Sequence, residues 1–497
     1  MGVIKRQTIQ GTIYSYIGVL LGFVNVVLLF PKILNTEQIG LVNLLVAIST
    51  IFAQFGSLGF NSVTTRLFSY FRDKSKNHNG FLFMVIMVSL AGTFLMFAIF
   101  YLLEPLIIKQ NSSESDLFAN YVNYDYLLIF SILFYLVFDN YLKVLFNSVI
   151  GTFYKEVVFR VLTFLNLVFI NFGFYDFNSF VLIYVLSLCF PTFALLLATI
   201  IKGEFNLKPQ RGFIDKQLKK QIFWVAFFGI LSGVGGIAIS NVDKYLVSSY
   251  LNLSLTGVYS ISFFFGTLIL IPSRSLTKIS SPVLADAWKN NDLPTISFVY
   301  KKSCITQYIV GLLIFILLWA NIENVFRLLP EEYASGRYVI LFVALANLFE
   351  MVTGTSGMII QTSRFYPYLT YFRGGSILIL VVSNIILVPI LGITGAALSV
   401  LITRATITSV KFWFIHSKYK MQPYDLNLIS ATGIGLTALL IAYFIPQLDS
   451  LYLDILLRSA IVGIIFLAGL IVFKPSDEIN LEIMKYIAIV KKWINRQ

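Results

Sequence analysis

The chain has 497 residues, of which 58% are hydrophobic and 12% are charged, and its mean hydropathy is +0.82. Because ordinary soluble domains carry about 25% charged residues, this composition excludes a soluble enzyme or binding domain as the bulk of the chain. The net charge of +13 would indicate an anionic partner in a soluble protein, but the preference of Lys and Arg for cytoplasmic loops explains much of it in a membrane protein.

Apolar runs of spanning length follow one another along the whole chain. A transmembrane helix needs about 20 apolar residues. The runs, numbered here as spans 1–14, are residues 9–30, 39–60, 81–103, 126–149, 157–175, 178–201, 222–240, 254–272, 303–320, 337–360, 373–390, 393–415, 428–446 and 454–473. We therefore predict an all-α polytopic membrane protein with about fourteen transmembrane helices, with a miscount of two open at the closely spaced pairs 157–201 and 373–415.

The distribution of Lys and Arg fixes the predicted topology. If the N-terminus is cytoplasmic, the inner segments carry thirty of these residues, whereas the outer segments carry six and Lys143 lies within a span. The six outer cations are Lys32, Lys109, Lys244, Arg327, Arg337 and Arg458. Since cytoplasmic loops are enriched in Lys and Arg, both termini are predicted to be cytoplasmic. No loop exceeds about 30 residues, so the function is expected within the membrane.

A short pattern occurs twice, each time between two spans. Leu34-Asn35 is followed by Gly40 in "LNTEQIG", and Leu251-Asn252 is followed by Gly257 in "LNLSLTG". Six spans separate the copies, so both would enter the membrane in the same direction. Parallel repeats of this kind surround a central cavity in many transporters.

The repeat predicts two six-helix lobes around a central cavity, followed by two further helices. The N-terminal lobe is assigned to residues 1–201 and the C-terminal lobe to residues 222–420. A basic cytoplasmic linker at 202–221 joins them, and residues 421–497 hold spans 13 and 14 with a basic tail.

Three stretches of the sequence carry motifs in a specific order. The first, residues 240–288, has Asp243-Lys244, then Gly257-Val258-Tyr259, and Pro282 near the inner end of the next helix. The second is "SNIILVPILGITGAALSVLITR" at 383–404, and the third, looser one covers residues 37–66. Together they resemble polysaccharide flippases of the multidrug/oligosaccharidyl-lipid/polysaccharide exporter superfamily, and their order and spacing make the resemblance specific for the family but not for a substrate.

The resemblance implies a bacterial inner-membrane carrier that moves an undecaprenyl-diphosphate-linked oligosaccharide from the inner to the outer leaflet by alternating access. Such a carrier serves the synthesis of lipopolysaccharide O-antigen or another surface polysaccharide. Its expected partners are the lipid-linked oligosaccharide, membrane lipids, and the glycan polymerase with its chain-length machinery, with no nucleic acid. No cofactor is expected, and transport is expected to be coupled to a gradient of either H⁺ or Na⁺.

Charged residues within spans are costly, so each requires an explanation. Asp139 and Lys143 are one turn apart on the same face of span 4. Lys143 is interpreted either as an anion contact held by Asp139 or as half of a self-neutralising pair near the interface. Glu350 lies in span 10 without a cation one turn away. It is interpreted either as a carboxyl group that couples transport to a cation gradient or as the partner of a basic residue on another helix. Arg404, about three turns into span 12, either faces the cavity or marks the inner half of the helix.

Two further pairs lie near the ends of spans. Arg66 and Arg274 occupy the inner ends of spans 2 and 8, where they would meet the diphosphate at the cytoplasmic mouth or anchor the topology. Asp243 and Lys244 lie at the outer end of span 7 and are interpreted first as a structural or gating ion pair, and second as substrate contacts.

Two alternatives compete with the flippase hypothesis. A cation-coupled multidrug antiporter of the same superfamily would share the fold, although basic residues favour an anionic cargo. A glycan polymerase would need acid or base groups in the membrane or in a large outer loop, whereas His78 and His416 are predicted to lie in cytoplasmic loops. No Walker A loop or metal-ligand spacing is present, so ATP hydrolysis is also unsupported. The chain is predicted to be a transporter and not an enzyme.

Overall fold

A computed structural model of the chain describes residues 2–111, 115–210, 212–481 and 484–485. Within this range, the side chains at 2–6, 8, 234, 236–240, 274–275 and 278–279 are outside the description. The described secondary structure is entirely helical, which confirms the predicted all-α class.

Twenty-one α-helices, numbered in chain order, make up the described fold. The first ten are α1 Gly2–Phe23, α2 Phe30–Ile33, α3 Thr36–Gly56, α4 Phe60–Phe71, α5 Phe81–Asn111, α6 Leu117–Tyr121, α7 Tyr124–Val144, α8 Ser148–Phe153, α9 Phe159–Asn171 and α10 Phe177–Ile201. The others are α11 Lys216–Tyr250, α12 Leu253–Thr267, α13 Ile271–Lys289, α14 Leu293–Ala320, α15 Ile322–Leu328, α16 Arg337–Val352, α17 Ser356–Thr362, α18 Tyr368–Leu391, α19 Ile393–Tyr419, α20 Leu426–Tyr443 and α21 Leu451–Phe473. Short π-helical segments, Val24–Leu29 and Tyr154–Val158, connect α1 to α2 and α8 to α9. Short 3₁₀ segments lie at Lys74–Gly80, Leu268–Leu270 and Glu331–Gly336.

Each predicted span corresponds to helical structure. Among the described residues, twelve helices have the length and hydropathy needed to cross a membrane. The other two predicted spans, 157–175 and 222–240, fall largely within α9 and within the long helix α11. The chain is therefore a multi-pass membrane protein, and the cytoplasmic position of both termini stays a prediction.

The chain divides into two compact units. Unit 1 comprises Met1–Ile261 and Arg373–Ala396, and unit 2 comprises Ser262–Phe372 and Ala397–Gln497. In unit 1, Phe68, Phe71 and Phe81 belong to a core formed by α4, α5 and α7. In unit 2, α14, α20 and α21 bury a core around Leu312, Ala438 and Phe466. The division into lobes at 201 and 222 stays a prediction.

Span 10 is broken in a way that hydropathy does not indicate. The predicted run 337–360 contains α16 and α17, which are separated at Gly354, where φ is +51°. A Cβ at this position would lie 2.7 Å from the backbone nitrogen of Cys304 on α14. Only glycine combines this backbone conformation with such a close approach, so Gly354 ends α16.

The two copies of the repeated pattern begin helices in the same way. The Asn35 carboxamide accepts a hydrogen bond of 2.8 Å from the backbone N–H of Gln38 at the start of α3. The Asn252 carboxamide accepts one of 2.8 Å from the backbone N–H of Leu255 at the start of α12. The asparagine of each copy thus supplies an N-cap, which satisfies an otherwise unpaired backbone donor.

These two helix starts contact each other in unit 1. A Cβ at Gly40 would lie 1.8 Å from the carbonyl oxygen of Leu253, and a Cβ at Gly257 would lie 2.0 Å from the carbonyl oxygen of Thr36. Thr36 and Leu253 occupy equivalent positions, directly after the capping asparagines. The contact is therefore symmetric, as if a local two-fold axis passed between the glycines, and both glycines are required for the backbones to approach this closely.

Candidate functional site

Two arginines of unit 1 lie within range of each other's charge. Arg373 on α18 donates hydrogen bonds from Nη1 to the hydroxyl of Ser232 on α11 and, at 3.4 Å, to its carbonyl oxygen. The exposed Arg66 on α4 is near enough for its positive charge to oppose that of Arg373. The arrangement concentrates positive charge where α4, α11 and α18 meet.

The close approach of α11 and α18 explains why Arg373 takes this position. A Cβ at Gly235 would lie 2.6 Å from Cβ of Arg373 and 2.8 Å from its carbonyl oxygen. The small residue allows the two helices to pack closely, as small residues do in membrane interfaces. The guanidinium then reaches Ser232, one helical turn before Gly235.

The Asp139–Lys143 pair forms on α7. Lys143 Nζ lies 2.5 Å from Asp139 Oδ2, with the carboxylate side chain 8% exposed and the Lys143 side chain 44% exposed. Asp139 is covered by α8, where a Cβ at Gly151 would meet its carboxylate. The carboxylate is thus buried while the ammonium group reaches outward. This geometry is compatible with Lys143 as an anion contact and with a self-neutralising pair, so the role of Lys143 stays a prediction.

Glu350 has a cationic partner on another helix. Its carboxylate forms an ion pair with Arg404, from α16 to α19 within unit 2. The Arg404 side chain is 15% exposed, whereas that of Glu350 is 45% exposed. This contact matches the second interpretation of Glu350, in which its partner is a basic residue on another helix. It also brings together two residues to which the sequence analysis gave separate roles. Participation of either residue in coupling or cargo binding stays a prediction.

Asp243 and Lys244 bind different neighbours and form no salt bridge with each other in the described structure. The buried Asp243 carboxylate accepts hydrogen bonds from the Tyr259 hydroxyl on α12 and from the backbone N–H of Lys244. Lys244 Nζ donates to the carboxamide oxygen of Asn43 on α3 at 3.1 Å. The two residues therefore connect α11 to both helices of the repeat crossing.

The remaining predicted residue, Arg274, lies on α13, and its side chain is outside the described residues. Its predicted position opposite Arg66 stays a prediction. The structure instead brings Arg373 within range of the positive charge of Arg66. In the sequence, Arg373 counts as a cytoplasmic cation at the start of span 11. Its position in the first turn of an apolar run is the signal that could have separated it from the cations of the loops.

A further ion pair, at the start of span 5, was also missed. Arg160 pairs with Glu156 at 2.9 Å, next to the π-helical segment Tyr154–Val158, and its guanidinium also donates to the carbonyl oxygen of Gly18 on α1. Asn25, in the π-helical segment after α1, donates to the carbonyl oxygen of Arg160 at 2.7 Å. The i,i+4 spacing of Glu156 and Arg160 was the available signal. These contacts join α1 to α9 and give the pair a packing role.

Comparisons with known proteins identify relatives of the sequence and of the fold. The family model described as polysaccharide biosynthesis protein matches residues 4–288, more than half of the chain. No curated protein sequence matches significantly.

Solved structures share the fold at low sequence identity. An inward closed conformation of the lipid II flippase MurJ is 15% identical, with a TM-score of 0.73 over 94% of this chain and 98% of that chain. An inward-facing MATE family multidrug resistance transporter of the MOP superfamily is 14% identical, with a TM-score of 0.61 over 84% and 96%. A MOP superfamily transporter from Pyrococcus furiosus is 15% identical, with a TM-score of 0.54 over 84% and 95%. The chain therefore has the fold of these transporters.

Proposed function

We propose that this chain, which belongs to the polysaccharide biosynthesis protein family, is a flippase for a lipid-linked oligosaccharide in a bacterial cytoplasmic membrane. Its cargo would be an undecaprenyl-diphosphate-linked repeat unit of O-antigen or another surface polysaccharide, delivered to the outer leaflet for a polymerase. The family supports a role in polysaccharide synthesis, and the shared fold of transporters supports alternating access as the means.

The physical problem that such a carrier solves is the transfer of a polar headgroup. A sugar diphosphate cannot cross about 30 Å of hydrocarbon unaided, because its polar groups would lose their hydrogen bonds to water. A protein path must replace those bonds while the polyprenyl chain stays in lipid. Polar and cationic side chains within the membrane are therefore required.

The juxtaposition of Arg66 and Arg373 carries the proposal. Arg66 and Arg373 lie within range of each other's positive charge, and the described hydrogen bonds of Arg373 go to neutral oxygens of Ser232. A diphosphate between them would remove the repulsion and accept paired hydrogen bonds, for which the planar guanidinium is well suited. A cationic drug would increase the repulsion, so the pair favours an anionic cargo.

The test uses a strain that lacks the gene, complemented with variants. Without the protein, full-length lipid-linked repeat units should accumulate on the inner leaflet while surface polysaccharide is lost. Arg373→Ala should restore little export, and Arg373→Lys should restore only part, since Lys keeps the charge but not the paired geometry. Lys302→Ala is the matched control, because Lys302 pairs with Glu478 near the exposed surface and should export normally.

Other outcomes distinguish the alternatives. Normal surface polysaccharide with new sensitivity to cationic drugs would contradict the flippase proposal and favour a multidrug antiporter. Single repeat units that reach the outer face but stay unpolymerised would instead indicate a polymerase. All variants must be present in the membrane at wild-type amounts for the comparison to count.

The energy source is a further part of the proposal. Glu350 is the half-exposed carboxylate of the pair with Arg404, so a proton or Na⁺ that neutralises it would weaken the contact between α16 and α19. Export that collapses with the proton gradient but not the Na⁺ gradient would assign H⁺, and the reverse would assign Na⁺. Export that is indifferent to both gradients would contradict ion coupling.

A further inference from the structure

A cavity of about 640 Å³ lies in unit 2, apart from every residue assigned to cargo transport. Its walls come from the ends of five helices: the C-termini of α14 and α20, the N-termini of α16 and α21, and the short helix α15. Because α16 and α21 begin where α14 and α20 end, all five meet on one side of the unit, the predicted outer face. The volume lies in the range of natural small-molecule sites.

The cavity is divided into an apolar and a charged part. Leu436, Leu440 and Tyr443 of α20 form the apolar part, and these side chains are more than half exposed. Since α20 has the length and hydropathy of a membrane span, we expect their exposed surface to face lipid. An acyl chain in the bilayer therefore reaches this wall without entering water.

The charged part contains two ion pairs with different roles. Arg458, buried in α21, bonds to Asp454 and to the backbone carbonyl oxygens of Ala442, Ile445 and Pro446. Asp454 in turn accepts from Arg458, from Asn324 and from the backbone N–H of Leu448. These groups are saturated by the protein, so they hold the α20–α21 turn and form the back wall.

The second pair is accessible. Arg337 Nη2 lies 2.6 Å from Glu323 Oε1, and the two side chains are 41% and 58% exposed. The Arg337 guanidinium also lies 5.9 Å from the ring centre of Trp319, which lines the same cavity. One accessible cation, Arg337, and one accessible carboxylate, Glu323, thus lie side by side in a cavity that also has an apolar wall.

We infer that this cavity binds a zwitterionic phospholipid of the outer leaflet, with an ethanolamine headgroup. The lipid phosphate would contact Arg337, its ammonium would contact Glu323, and an acyl chain would lie along Leu436 and Leu440. The lining holds two arginines and two carboxylates, so its charge is balanced and favours a zwitterion over an anionic lipid. A choline headgroup has no N–H to donate to Glu323 and fits less well.

The test measures lipid binding to the purified full-length protein after delipidation, by native mass spectrometry. Phosphatidylethanolamine, phosphatidylglycerol and phosphatidylcholine with identical chains are the probes. Because an exposed charge contact contributes up to about 1 kcal/mol, phosphatidylethanolamine should bind about fivefold more tightly than either of the others. Glu323→Gln should remove this preference, and Arg337→Gln should weaken all three lipids.

The control is Glu478→Gln, which removes the carboxylate of another exposed ion pair and should leave the lipid preference unchanged. Leu440→Asp should weaken all three lipids without changing their order. Equal binding of the three lipids to the wild type would overturn the inference. So would a preference that survives Glu323→Gln, or displacement of the lipid by glycerophosphoethanolamine at equal concentration, since that compound lacks the acyl chains.

Discussion

Substitution of either glycine at the repeat crossing should separate α3 from α12. A methyl group at Gly40 would lie 1.8 Å from the carbonyl oxygen of Leu253, whereas ordinary van der Waals contact begins at 3.4 Å. The helices must therefore move apart by about 1.6 Å at this point. The obstacle is backbone, which cannot rotate away as a flexible side chain would.

The separation also affects a hydrogen bond between the same segments. The hydroxyl groups of Thr36 and Ser254 are 2.7 Å apart, and a displacement of this size along the bond would break it. Overpacking costs about 1–3 kcal/mol, and the lost bond contributes about 1 kcal/mol within that range. Since 1 kcal/mol shifts the melting temperature of a large domain by about 2 °C, Gly40→Ala should lower it by about 2–6 °C.

The symmetry of the contact gives a sharper expectation. Gly257→Ala should cost about as much as Gly40→Ala, because its methyl group meets the Thr36 carbonyl oxygen at 2.0 Å. The double variant should cost clearly less than the sum, since helices already displaced by one methyl group accommodate the second. Thermal unfolding of the purified protein in detergent, followed by tryptophan fluorescence, measures all three variants.

The matched control is Gly463→Ala on α21, where a Cβ would meet no atom within 4 Å. Alanine in place of an unconstrained helical glycine stabilises by about 0.5–1 kcal/mol, so this variant should melt at or above the wild-type temperature. Additive effects of the two crossing variants, or a loss no greater than that of the control, would refute the reasoning.

Three further predictions concern the charged pairs and the break in span 10. Glu350→Gln should lower the melting temperature by the equivalent of about 1–2 kcal/mol, because the largely buried Arg404 loses its partner carboxylate. The exchange Glu350→Arg with Arg404→Glu should recover part of this loss. No recovery would show that the contact itself is unimportant. Lys143→Met should reduce polysaccharide export in the complementation assay with little change in stability if Lys143 contacts the anionic cargo, and unchanged export would leave only the self-neutralising pair with Asp139. Gly354→Ala should destabilise by about 1–2 kcal/mol from the left-handed backbone alone, a loss that unfolding in detergent would detect and that an unchanged melting temperature would contradict.

The helices could be predicted from the sequence because hydropathy is a local property. A run such as 454–473 contains enough apolar residues to span the bilayer, whatever surrounds it, and α21 occupies Leu451–Phe473. The break at Gly354 was missed, since the apolar run continues on both sides and the constraint comes from Cys304, fifty positions away. Likewise, the charged residues were recognised by their position in spans, but Arg373, the first residue of span 11, was counted only as a cytoplasmic cation because hydropathy places span ends only approximately.

The sequence by itself determined the membrane class, the order of the spans and the repeated Asn–Gly pattern, all of which follow from composition and short spacing. Only the tertiary structure decided that Gly40 meets Gly257, that Glu350 pairs with Arg404 and that Arg373 approaches Arg66. Such contacts depend on the rotation of each helix about its axis. A helix in lipid is apolar on most of its surface, so the face that meets a neighbour is chosen by close packing of small residues and by polar contacts between distant segments.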